Sequence, residues 1–143
     1  MTDTAEPAEF PRLLHTVLDT TDPRGLAEFY RQLLDLHYRP GDGPPVDGSA
    51  ETPDWLVLLD SDGHRSLAFQ EVDRLTRTTW PSHDVPMQLH LDLTVTSREE
   101  LERQRVRAEE LGAELVLDRT DDEGEPLYVL ADPSGHPFCL FVA

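Results

Sequence analysis

Two histidines, His15 and His90, occupy matching places in short runs of alternating side chains, Leu14-His-Thr-Val-Leu18 and Leu89-His-Leu-Asp-Leu93. Alternate residues of a strand share a face, so each imidazole points away from its neighbouring leucines. An imidazole in such a place can ligate a divalent ion, hydrogen-bond a ligand or move a proton. Asp19 and Asp92 follow on the same two faces. Charged side chains are costly to bury unless they are paired or ligating, so these faces should meet a polar cavity or solvent. Gln70, set among Leu67, Phe69 and Val72, carries an amide that needs water or a ligand as its partner. Cys139, the single cysteine, excludes an internal disulfide and a Cys-rich zinc site, and reads as a small residue on a cavity wall.

These groups need strands to hold them. Leu13 to Thr20 is branched and too short for a helix, so a strand is expected. Asp22-Pro23 marks a helix start, with a capping carboxylate followed by a residue that has no donor to leave unpaired. Leu26, Phe29, Tyr30, Leu33 and Leu34 then recur at helical spacing as one apolar stripe. Pro40 to Pro53 reads as a long loop. Trp55 to Leu59 and Ser66 to Val72 read as strands joined by a turn at Asp60-Ser-Asp-Gly63. The proline-containing stretch Leu75 to Pro86 reads as a linker.

Met87 to Val95 alternates, with Met87, Leu89, Leu91, Leu93 and Val95 suited to a core and Gln88, His90, Asp92 and Thr94 opposite. Ser97 and Glu100 form a capping box for a helix running to Leu111, with Gly112 as a left-handed stop. Glu114 to Leu117, Leu127 to Ala131 and Phe138 to Val142 complete the strands. The order strand, helix, three strands therefore occurs twice. A shift of 75 positions lays Leu14-His15 on Leu89-His90, Leu18 on Leu93, Asp22 on Ser97 and Leu26 on Leu101. Several matches at one offset indicate a duplicated unit. With the first strand of each unit at the middle of its sheet, Leu14, Thr16 and Leu18 would face the helix and His15, Val17 and Asp19 the other side.

The chain of 143 residues suits one domain spanning 1–143, with units at about 11–73 and 86–143 and a linker at about 74–85. Its 12 basic and 29 acidic residues give a net charge of -17, which repels phosphate backbones and anionic lipid. Neither nucleic acid nor membrane is expected as a partner. Met1 to Glu9 lacks the basic and apolar regions of a secretory leader, so a cytoplasmic location is expected.

The chain resembles the vicinal-oxygen-chelate superfamily of glyoxalases, bleomycin-resistance proteins and extradiol dioxygenases, in its glyoxalase-like branch. Three stretches carry the likeness. They are Leu14 to Pro23 with Leu26-Ala-Glu-Phe-Tyr30 and Leu33-Leu-Asp-Leu36, Pro86 to Leu93, and Asp132-Pro-Ser-Gly-His-Pro-Phe-Cys-Leu-Phe141. The resemblance implies an α+β fold of two βαβββ modules whose curved mixed sheet surrounds a cavity, with helices on the convex face and a homodimer as the usual assembly. It also implies, in metal-dependent members, a divalent ion held by first-strand and last-strand residues of each module.

Carried onto this chain, the first-strand ligand positions are His15 and His90. The last-strand positions fall on Cys139 and on Ala68 or Gln70, where no carboxylate stands. Asp19 or Asp92 as a substitute would move a ligand by about 7 Å along its strand. The expected function is therefore binding of a small molecule in the concave cavity, with His15, Gln70, His90, Asp92 and Cys139 as ligand contacts and no cofactor. The alternative is a divalent-metal-dependent lyase, isomerase or dioxygenase using His15 and His90. Trp55, Trp80 and Tyr128 are candidates for an apolar wall, and His136, after a turn glycine, is expected to be exposed.

Overall fold

The computed structural model describes residues 9–143, so the acidic start discussed above lies outside the described residues except for Glu9. The elements are β1 (Thr16–Thr20), α1 (Pro23–Leu34), β2 (His37–Tyr38), β3 (Trp55–Leu59), β4 (Arg65–Glu71), β5 (Leu91–Val95), α2 (Arg98–Glu110), β6 (Glu114–Arg119), β7 (Leu127–Ala131) and β8 (Pro137–Val142). Both helix starts form where the capping residues stand. The Asp22 carboxylate accepts the Gly25 N–H at 3.1 Å, and the Ser97 hydroxyl accepts the Glu100 N–H, also at 3.1 Å. The reciprocal half of the capping box is absent because the Glu100 carboxylate is drawn to Arg103 instead. Gly112, at φ 118°, takes the backbone conformation that a side chain would strain.

The α+β architecture of two βαβββ modules is present as two four-stranded mixed sheets, ordered β1-β4-β3-β2 and β5-β8-β7-β6. In each, the first strand runs parallel to the last and the remaining pairs are antiparallel. The first strand thus lies at a sheet edge and not at its middle, and the two sheets do not join through a backbone ladder. The first strands also begin later than their sequence pattern. β5 starts at Leu91 because its partner β8 begins only at Pro137, after the Asp132-to-Gly135 turn. Leu13, Leu14 and Leu89 are consequently exposed. β2, two residues long, has too little pattern to be read in advance.

Register and burial assign the faces. Leu18, Leu56, Leu58, Leu67 and Phe69 turn toward α1, while Leu101, Ala108, Leu130, Phe138 and Leu140 join the same apolar core from the second module. Phe138 of β8 lies 6.0 Å from Phe29 and 6.3 Å from Tyr30 of α1, ring centre to ring centre. A buried polar seam runs beside it. The Tyr30 hydroxyl donates to Asp132 at 2.7 Å, and Asp132 also accepts the backbone N–H groups of Ser134 and His136. Thr20 and Ser134 hydroxyls meet at 2.8 Å, and His136 Nε2 lies 2.6 Å from the Asp19 carbonyl. His136 is therefore half-buried and partnered, contrary to the expectation of exposure, because the β7–β8 turn docks on the end of β1. Among the described residues no helix is long and apolar enough to cross a membrane.

Two tyrosines link this packing to alkaline pH. Burial, followed by the hydrogen bond to Glu28, pushes Tyr38 from 10.0 up to about 12. Burial and Asp132 hold Tyr30 well above 10.0. The unfolded chain releases these protons first, so it binds fewer protons than the fold above pH 10 and stability falls as pH rises. The urea midpoint is expected to drop between about pH 10 and 12, with a shallower drop in Tyr38→Phe, as followed by circular dichroism.

Candidate functional site

Each sheet presents a face away from its helix, and the pairing register defines the rows across it. In the first sheet Val17 pairs with Ala68 and Ala68 with Val57. Arg39 continues that row, since its N–H bonds the Val57 carbonyl at 2.9 Å. The next row holds Asp19, Gln70 and Trp55. In the second sheet the corresponding row is Asp92, Cys139, Val129 and Leu117. Val17 and Asp92 are 75 positions apart, the offset of the repeat, so Ala68 is the structural counterpart of Cys139. Ala68 is fully buried and offers no donor.

The structure gathers three of the expected site residues. Ligand atoms of His90, Asp92 and Cys139 lie within 4.8 Å of one another, with His90 Nε2 3.1 Å from Asp92 Oδ1. Burial, reinforced by Asp92, raises the Cys139 thiol to about 11, so it is protonated at neutral pH. His15 is not part of this group. It sits just ahead of β1 and reaches Trp55 on β3, two strands away, at a ring separation of 5.9 Å. Its Nδ1 is buried and has no hydrogen-bond partner among the described residues. Desolvation, then the charges of Arg65 and Arg39, lowers its pKa, which favours the neutral ring. Gln70 is exposed between Asp19 and Trp55.

Of the three aromatics named for an apolar wall, Trp55 alone stands in a row of the open faces. Tyr128 donates its hydroxyl to Glu102 of α2 at 2.6 Å and lies under the Arg105 guanidinium, so it faces the helix. Trp80 is half-buried in the linker.

Arg65 is the functional candidate that pattern reading missed. Simple alternation with Leu67 would place it under α1. The β3–β4 register slips between Leu58 and Leu59, so that Arg65 pairs with Leu59 and shares the open face. A bulge re-aims a side chain in this way, and no local sequence signal announces it. His136 was also missed as a lining residue. A cavity of about 280 Å³ between the modules is lined by Val17, Asp19, Thr76, Met87, Gln88 and His136, among others.

The donor set can be tested against the divalent ion implied by the resemblance. His15 and His90 with two carboxylates from the last strands do not fit, because Ala68 and Cys139 occupy the equivalent positions. Of the expected site residues the structure gathers one imidazole, one carboxylate and one thiol, in the second module; a separate group, Asp60, Asp62 and His64, lies at the β3–β4 turn of the first.

A family model described as a glyoxalase-like domain matches residues 15–141. None of the curated proteins matches the chain. Among solved structures, a glyoxalase/bleomycin resistance protein/dioxygenase family enzyme from Burkholderia phytofirmans is similar with a TM-score of 0.65 at 15% identity, over 90% of this chain and 96% of that one. The fosfomycin resistance protein FosX from Listeria monocytogenes, solved with Mn(II) and sulfate, is similar with a TM-score of 0.63 at 18% identity, over 94% of both chains. FosX from Mesorhizobium loti gives a TM-score of 0.63 at 13% identity, again over 94% of each chain.

Proposed function

The chain belongs to the glyoxalase-like domain family of the vicinal-oxygen-chelate superfamily, and from that membership we propose that it binds a small molecule on the open faces of its sheets without the full metal site. One observation carries this reading: the last-strand position equivalent to Cys139 is Ala68, buried and without a donor atom. Loss of a ligand at that row leaves His15 stranded beside Trp55, where it can hydrogen-bond a ligand. Its buried Nδ1 is a group that a ligand would satisfy, since an unpaired buried polar atom costs about 1–3 kcal/mol.

The test is elemental analysis of the purified protein after exhaustive dialysis. Substoichiometric metal is expected. A divalent ion retained at one per chain would overturn the reading.

A second reading is favoured by the closeness of His90, Asp92 and Cys139. Mixed nitrogen, oxygen and sulfur donors suit a borderline ion such as zinc better than a hard ion such as Mg²⁺. When bound, such an ion would supply Lewis-acid polarisation of a ligand oxygen. In that case a retained ion should disappear in His90→Ala and persist in His15→Ala. Loss in both variants would instead indicate an ion shared by the two modules.

A further inference from the structure

The two modules share a frame, but their open faces carry opposite chemistry. The second gathers His90, Asp92 and Cys139, which attract cations or hydrogen-bond donors. The corresponding face of the first gathers no such group around His15; it holds Arg39 and Arg65, and the parallel pairing of Thr16 with Leu67 sets His15 alongside the Arg65 end of β4. Arg39 is paired with Asp42 at 3.1 Å. Arg65 makes no ion pair and no side-chain hydrogen bond among the described residues, although it is only half-exposed. Arg65 is thus the guanidinium of this face that has no carboxylate partner among the described residues, Asp19 standing in the far row with Gln70 and Trp55. The Nδ1 of His15 is unpartnered, and the Trp55 ring lies 5.9 Å from the His15 ring.

Resting on the small-molecule reading above, we infer that this face recognises an organic acid, whose carboxylate or phosphonate is taken by Arg65 with His15, and whose apolar body lies against Trp55. Three physical points support it. A guanidinium presents a planar fork of donors that matches two oxygens of one acid group. A neutral imidazole adds one further donor. The half-buried indole gives an apolar surface beside His15. A chain of net charge -17 repels anions at long range, so an acid can be held only where positive charge is concentrated locally. The bulge at Leu58/Leu59 is what brings Arg65 into that place.

Trp55 also supplies the readout. Trp80 is the only other tryptophan, so Trp80→Phe leaves Trp55 fluorescence as the reporter. Phenylacetate, phenylphosphonate and neutral phenylacetamide are titrated against this protein, with folding of every variant checked by circular dichroism. One or both acids are expected to quench with at least about tenfold higher affinity than the amide, one charge-assisted contact being worth roughly that factor. The two acids distinguish a carboxylate site from a phosphonate site. Arg65→Gln should abolish the preference and leave amide binding unchanged, while Arg65→Lys, which keeps the charge and loses the fork, should retain part of it. Equal affinity for acids and amide, an acid preference that survives Arg65→Gln, or quenching by none of the three would overturn the inference. Equal affinity would leave small-molecule binding itself standing, and failure of that reading shows separately as stoichiometric metal.

Discussion

Phe138→Ala is expected to lower the stability of the fold by about 3–5 kcal/mol, the range for removing a large aromatic from a close-packed core. Phe138 is fully buried on β8, at the second module's contribution to the common core. Its ring faces Phe29 and Tyr30, both on α1 of the first module. The cavity left by alanine would therefore lie where the modules meet, and neither sheet could collapse into it without moving the helix between them. Urea unfolding followed by circular dichroism measures the loss. A drop below about 1 kcal/mol would mean that the modules are held together by something other than this core.

The second large effect is expected at the buried polar seam. Asp132 is fully buried and serves three donors: the Tyr30 hydroxyl and the N–H groups of Ser134 and His136. Asp132→Ala leaves all three without an acceptor, and each unsatisfied buried group costs about 1–3 kcal/mol, so a total near 3 kcal/mol or above is expected after the turn relaxes. Asp132→Asn keeps an acceptor for the turn and an amide facing Tyr30, and should cost about 1 kcal/mol or less.

The pH dependence separates these variants further. Burial raises the Asp132 pKa from 3.8, an effect its hydrogen bonds only partly offset. A carboxyl whose pKa is raised on folding binds more protons in the folded state, so its contribution is full below 3.8 and is lost as pH rises through the folded value. Asn cannot ionise, so this part of the pH slope should vanish in Asp132→Asn. An unchanged slope would show that Asp132 does not titrate with folding.

Much of the fold was legible because it depends on short-range pattern. The α1 stripe from Leu26 to Leu34, the cap at Asp22 and the stop at Gly112 formed as read, and of the capping box at Ser97 the serine half formed. The face assignment of Val17 and Asp19 also held, since alternation along a single strand needs no knowledge of its neighbours, whereas His15 lies just ahead of that strand. Leu14 and Leu89 failed for the complementary reason. They continue an apolar pattern, but a strand extends only as far as a partner exists, and the ladders with β4 and β8 begin at Thr16 and Leu91.

The candidate site was legible in part. Cys139 lies far in sequence from His90 and Asp92, which are neighbours on one segment, and each was named for its own reason. Their meeting follows from the parallel β5–β8 pairing. Arg65 could not have been named, because its face is set by a register slip against β3 and not by its neighbours in the chain.

By itself the sequence determined the repeated unit and the helix ends, consequences of local periodicity and capping. Only the tertiary structure decided which residues share a row: it set Ala68 at the position equivalent to Cys139, turned Arg65 to the open face and docked His136 on Asp19. Row partners are fixed by cross-strand register and packing between modules, and those are relations between segments that no single segment encodes.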